Sequence, residues 1–412
     1  MPQAWRVLGA ACAIYFLTSG SIFYGLSVVL KPLIETMGWT RTQGTSGVTV
    51  FVLSLGLTGP LVAALIDRLD IRGTVLVGAA SVAIGAVTAC FIQGLLHFYI
   101  ALVFLGFGSA AMTFIPQSQL VARWFSGRRS LAMGVLLSSA GLGAFIMTPL
   151  YALVLERTGN WRVLFALMGA TVPISVALTL LVLRSRPGLE EGDGSASRAP
   201  IRTEARKAKV YQSNVDWSLS SALHTSALWV IVSSIGMGLL GVNLVNSQAI
   251  LHLTDIGISQ VTAGAAIGAV GLCSVLGRLG GGVLGDRLEP KYLVAFGLIA
   301  QAAGILVLLV ADRDVLVYGF TAIFGVGFGL GIVTAPLMLA NYFGVGSFAR
   351  INGATGVVTI GLSAFGPTLA GYTSDTLGSY TLVFCGFSAL ATILAFMMAL
   401  MRPPAPLGVA TG

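Results

Sequence analysis

Apolar stretches of about twenty residues or more, separated by short polar or charged gaps, run along almost the whole chain. Twelve can be drawn, at about 7–30, 44–66, 73–93, 97–121, 130–155, 162–183, 225–253, 260–285, 291–311, 315–341, 351–374 and 379–401. A helix rises 1.5 Å per residue, so ~20 residues cross the ~30 Å hydrocarbon core of a bilayer. The pattern therefore predicts an all-α membrane protein with twelve transmembrane helices. The first stretch, Val7 to Leu30, is too long for the apolar core of a cleaved signal peptide and is read as the first span. Pro60, Pro116, Pro149, Pro173, Pro336 and Pro367 fall inside spans. Neighbouring helices can satisfy the backbone groups a proline frees, so these positions predict kinks.

One polar stretch is much longer than the others. It runs from Arg184 to about Leu223, is rich in Ser, Gly, Glu and Arg, and divides the chain near its middle. Residues 1–183 and 225–412 are expected to form two six-helix bundles, with 184–224 as a cytoplasmic linker. Within the linker, Ile201 to Val210 suits either a short basic helix lying on anionic headgroups or a solvated tether. An internal repeat supports the halving. Asp67-Arg68 corresponds to Asp286-Arg287 at an offset of 219, and Trp124-Phe125 to Tyr342-Phe343 and Pro149 to Pro367 at 218. With an even number of spans between equivalents, the halves are parallel repeats related by an axis along the membrane normal.

Composition removes the soluble alternatives. The chain is 56% hydrophobic and 9% charged, against roughly 25% charged for a soluble domain. Its 53 glycines suit helices that approach closely in a membrane. The net charge of +8 is not a nucleic-acid signal, because the basic residues sit in gaps between spans without stacking aromatics. Counted by loop they divide seventeen to five, which predicts cytoplasmic termini in a multi-pass protein of the bacterial inner membrane. Cys12, Cys90, Cys273 and Cys385 lie inside apolar runs and read as packing residues, with no disulfide and no metal site. No nucleophile–base arrangement, metal-ligand spacing or phosphate-binding loop is present, so neither an enzyme nor a cofactor is implied. Gly106-Phe107-Gly108 and Gly325 to Gly329 lie in apolar spans with no preceding strand and read as helix-packing positions. Transport without an ATP-driven domain is secondary.

One charge stands inside a span. Arg278 lies eight residues before Asp286, roughly 12 Å from the helix end at 1.5 Å per residue. An arginine at that depth costs ~2.5–3.5 kcal/mol on insertion scales and is expected to face a wet cavity or a partner. All fifteen acids fall in loops or at span ends, so the expected partner is an anionic substrate. A guanidinium matches one carboxylate through two parallel hydrogen bonds, which favours a monocarboxylate over a dianion.

Two segments, Gly59-Pro60-Leu61…Asp67-Arg68…Arg72 and Gly281-Gly282-Val283-Leu284-Gly285-Asp286-Arg287…Lys291, resemble the loop motif of the major facilitator superfamily. The resemblance implies that fold, with Asp67, Arg68, Asp286 and Arg287, together with Arg128 and Arg129, as gating residues. It also implies that helices one, four, seven and ten line the pathway. Tyr15, Tyr24, Gln117, Gln119, Asn243, Asn246 and Thr334 are then candidate substrate contacts, each equally able to bond between helices. Arg123 to Gly134 followed by Ala140-Gly141-Leu142-Gly143 is similar to the fifth-helix signature of monocarboxylate transporters. In that family a helix-eight arginine binds the carboxylate, and Arg278 matches its position. The likeness extends to the related oxalate:formate exchangers, which carry a second cation in helix eleven that this chain lacks.

Three departures bear on proton coupling. Ser274 stands where animal members have an acid four residues before the arginine, the first helix has no lysine between Ser21 and Ser27, and the signature leading into helix one is reduced to Trp5. A coupled proton is left to His252 or Asp255, or to the substrate carboxyl and a water beside Arg278, with Ser274 among the substrate contacts. The expectation is a monomeric secondary transporter that moves a small monocarboxylate of the lactate or pyruvate type with a proton, by alternating access. Anion exchange of the oxalate/formate type and a non-transporting receptor are the alternatives.

Overall fold

The computed structural model describes residues 2–125, 129–185, 210–213, 217–285 and 287–404. Among them every regular element is helical. The first span is one long run: α1 (Pro2–Thr18), a π-helical segment (Ser19–Tyr24) and α2 (Gly25–Met37). α3 (Arg41–Leu57) starts on a capping box, in which the Thr40 hydroxyl accepts from the Gln43 N–H and the Gln43 side chain accepts from the Thr40 N–H. It stops at Thr58, and α4 (Gly59–Cys90) follows. The fourth span is α5 (Leu95–Met112) and α6 (Phe114–Trp124), and the next two are α7 (Arg129–Thr158) and α8 (Trp161–Leu181).

A short α9 (Leu219–Leu223) precedes α10 (Ser226–Asp255), α11 (Gln260–Gly285), α12 (Pro290–Leu309) and α13 (Asp314–Phe343). The chain ends in α14 (Val345–Ala364), α15 (Gly366–Leu377) and α16 (Thr381–Leu400). Eleven described helical runs are long and apolar enough to cross a membrane. The second expected span is absent from that count because it breaks at Thr58, and its remainder runs on into the third. The junction is not a loop: α4 continues across a kink at Asp70, whose backbone sits at φ 60 and ψ 178.

The repeat is carried in the backbone. Left-handed glycines close the same turns in both halves: Gly38 (φ 65) matches Gly257 (φ 93), and Gly159 (φ 61) matches Gly378 (φ 65), each 219 residues apart. At these angles a side chain clashes with its own backbone, so glycine is the default residue. Helix crossings repeat as well. A Cβ on Gly108 would lie 2.7 Å from the Gly78 carbonyl, and one on Gly327 would lie 2.7 Å from the Gly297 carbonyl. Both pairs keep the offset of 219, and at both crossings only a residue without a side chain lets the backbones meet.

The chain divides into two compact units that do not follow the sequence halves. The first holds residues 1–203, 246–272 and 367–378, and the second holds 204–245, 273–366 and 379–412. Residues 201–209 of the expected basic segment, and 186–209 and 214–216 of the 184–224 linker, lie outside the described residues.

Candidate functional site

In the second unit α11 and α13 cross where both carry glycine. A Cβ on Gly277 would lie 2.9 Å from the Leu330 nitrogen, and one on Gly329 would lie 2.9 Å from the Arg278 nitrogen. Arg278 stands at this crossing, 8% exposed, with Ser274 fully buried one turn earlier. The guanidinium carbon lies 5.7 Å from the centre of the Phe328 ring. A ring face attracts a cation by ~0.5–2 kcal/mol, which offsets part of the cost of burying it. Thr334, also fully buried, donates to the Leu330 carbonyl at 2.8 Å and is held by its own helix.

Three of the amides expected to meet substrate donate their side-chain N–H to backbone carbonyls at helix irregularities. Pro116 has no N–H for the Met112 carbonyl four residues earlier, and Gln117 supplies one from its Nε2 at 3.1 Å. Pro367 likewise leaves the Ser363 carbonyl unserved, and the Asn243 Nδ2 donates to it at 3.1 Å. The Asn246 Nδ2 donates at 2.7 Å to the Phe23 carbonyl, where the π-helical turn ends. The Oε1 of Gln117 and the Oδ1 of Asn246 are buried with no hydrogen-bond partner among the described residues. Tyr24 is buried edge-to-face against Phe23, while Tyr15 and Gln119 are half-buried.

Of the expected gating residues, Asp67, Arg68 and Arg287 are exposed. Arg128 and Asp286 lie outside the described residues, and Arg129 is described only as the first residue of α7. The engaged acids stand three positions further along. Asp70 pairs with Arg123 at 2.5 Å, and Glu289 accepts from the Tyr342 hydroxyl at 2.8 Å. Asp70 and Glu289 are 219 apart, as are Arg123 and Tyr342. Next to each acid a base donates to a carbonyl at the end of the last span of its sequence half: Arg72 to Leu180 at 2.8 Å, Lys291 to Met401 at 2.9 Å. The offset of 219 between the halves relates Arg72 and Lys291 as well.

At the opposite end of the first unit, Asp255 forms a two-pronged ion pair with Arg41 at 2.6 and 2.9 Å, and His252 is buried one turn before it. Asp375 was not expected to matter. Its carboxylate accepts from the backbone N–H groups of Arg41 and Thr42 at 2.9 and 2.8 Å and from the Thr42 hydroxyl at 2.6 Å. It therefore caps the positive end of α3.

Glycine-crossed apolar helices in two repeats hold, among the described residues, one buried arginine. The chain belongs to the Major Facilitator Superfamily, which it matches over residues 11–358 and again over 238–412. It is therefore a multi-pass secondary transporter. Its curated relatives include Monocarboxylate transporter 12 of Mus musculus, 26% identical over 373 residues that cover 84% of this chain and 75% of the relative. Monocarboxylate transporter 11 of Homo sapiens is 28% identical over 390 residues, covering 92% of this chain and 79% of the relative. Among solved structures, a POT family transporter in complex with 5-aminolevulinic acid superposes with a TM-score of 0.71 at 14% identity, covering 96% of both chains. That likeness speaks for the fold alone.

Proposed function

We propose that the protein carries a small monocarboxylate of the lactate or pyruvate type across the bacterial inner membrane by alternating access, together with a proton. The observation that carries this reading is Arg278, a buried cation set against Phe328 where α11 crosses α13, in a chain whose curated relatives are named monocarboxylate transporters. Arg278 takes the carboxylate in its two-pronged fork, and the single positive charge selects against a second carboxylate. Ser274, buried one turn before Arg278 on the same helix, is the further substrate contact within this unit. Both termini face the cytoplasm, residues 1–183 and 225–412 act as the two rocking halves, and the carrier works as a monomer.

Uptake of radiolabelled lactate, pyruvate, oxalate and succinate into proteoliposomes tests this, for wild type and Arg278→Lys. Lysine keeps the charge but loses the fork, so the expected result is lactate or pyruvate uptake that falls at least tenfold in the variant. Near-normal uptake by Arg278→Lys overturns the bidentate assignment. An imposed inward proton gradient is expected to stimulate uptake. Indifference to the gradient, with uptake requiring an internal anion, makes the protein an exchanger.

A further inference from the structure

In the second unit a cleft of about 430 Å³, counted out to its open mouth, runs between α10 and α13 with α12 as its floor. The floor residues Val294, Leu298 and Gln301 are buried, while Ile235, Leu239 and Ile332 at the walls are half-buried. The space is open at its mouth and takes a short chain rather than a bulky ligand. Its walls are mostly aliphatic or glycine, which excludes a charged ligand from its depth. One lining residue is Phe328, the ring that also faces Arg278, so the cleft and the arginine share a wall.

The polar groups of the cleft point to a ligand rather than to packing. The Ser234 Oγ and Gln301 Oε1 are both buried, each residue 2% exposed, with no hydrogen-bond partner among the described residues. A buried polar atom left unsatisfied costs free energy that a ligand group can recover. The Gln301 amide lies over Gly238 and Gly241, where two residues without side chains make room for it. A third group follows from the sequence. Pro336 has no N–H for the carbonyl of Ile332, four residues earlier, and both residues line the cleft. Two of these three groups are acceptors only, and they call for a donor.

We infer that this cleft is the subsite for the body of the transported acid: an aliphatic chain with a hydrogen-bond donor, such as a hydroxyl, at its far end, whose carboxylate lies on Arg278. The inference rests on the monocarboxylate reading and narrows it. Lactate and pyruvate then occupy only the arginine end, and longer ω-hydroxy monocarboxylates bind more tightly.

Calorimetric titration of the purified full-length protein with propionate, hexanoate, 6-hydroxyhexanoate and hexanamide tests this, alongside Gly331→Leu. Gly331 lines the cleft, and a Cβ there meets nothing within 4 Å, so leucine fills the space without a backbone clash. In wild type, affinity is expected to rise about fourfold for each methylene buried, and about fivefold more for the terminal hydroxyl. In Gly331→Leu the hexanoate-to-propionate ratio falls towards one. Gln301→Leu, a second variant should the first not fold, keeps the chain-length gain and loses the hydroxyl gain. Propionate binding with no gain from longer acids overturns the subsite and leaves the monocarboxylate reading intact. So does a chain-length gain that survives in Gly331→Leu. Hexanamide binding as tightly as hexanoate also overturns it, making the cleft a lipid-chain groove independent of Arg278. Absence of binding by every carboxylate, together with absent lactate uptake, removes both readings.

Discussion

Arg278 stands where two helices come closest, and the glycines that permit the approach also decide what surrounds its guanidinium. Gly329 sits against the backbone of α11, and any side chain there is driven into the Ser274 carbonyl and the Arg278 nitrogen. Backbone cannot yield as a flexible side chain can, so Gly329→Val is expected to cost about 1–3 kcal/mol. Thermal unfolding of the purified protein reads that loss. Gly331→Ala, two residues along, meets open space and is expected to melt no lower than wild type. Phe328 contributes differently. Phe328→Leu keeps an apolar residue of similar bulk but removes the ring face from the cation, so the KM for lactate is expected to rise about two- to fivefold while folding is retained. An unchanged KM assigns Phe328 to packing alone.

Between residues and helices, the recurrent device is the repaired break. Pro116 and Pro367 each free a carbonyl, and Gln117 and Asn243 each serve it from a side chain. Replacing Asn243 by Leu leaves the Ser363 carbonyl buried and unserved, at an expected cost of about 1–3 kcal/mol read as a lowered melting temperature. The Asp70 junction is a second device. Its backbone lies in a region that side chains other than glycine rarely enter, and it is held there by bonds to Ile71 and Arg123. Asp70→Gly relieves the backbone strain but loses the pair, whereas Asp70→Ala loses the pair and keeps the strain. Of the two variants, Asp70→Ala is therefore expected to melt lower.

These elements also mark what the sequence could tell. Span positions were legible because twenty apolar residues have few other uses, and Arg278 because its charge is costly in a span. The repeat was legible because its landmarks hold a constant offset. The backbone partners of Gln117, Asn243 and Asn246 were not, since an amide in a span reads alike whatever carbonyl or ligand it faces. Gln301 and Ser234 went unnoticed. Gln301 belongs to the ninth span, outside the four that the family resemblance marks as pathway helices, and a lone serine in the seventh is easily read as a small packing residue.

At the scale of the molecule, the informative fact is that one compact unit contains parts of both sequence halves. Residues 246–272 and 367–378 belong with the first 203, and their contacts are dense. Besides the Arg41–Asp255 pair and the Asp375 cap, the Gln260 Nε2 donates to the Val28 carbonyl at 3.3 Å. The Thr49 and Thr368 hydroxyls meet at 2.8 Å, and a Cβ on Gly271 would lie 2.6 Å from the Gly141 carbonyl. If the halves rock, every one of these contacts must break in each cycle. The Arg41–Asp255 pair is part-exposed, where an ordinary surface pair is worth about 0.2–1 kcal/mol and a bidentate one more. Sums of such terms suit a contact that has to open on a millisecond scale. Thr49 and Thr368 give the sharpest test, because their side chains already touch. Cysteines at both positions, in a background with Cys12, Cys90, Cys273 and Cys385 replaced by alanine, are expected to form a disulfide that stops uptake, and reduction is expected to restore it. Uptake that continues with the cross-link complete means that these contacts persist through the cycle, and transport then proceeds without separating 367–378 from α3.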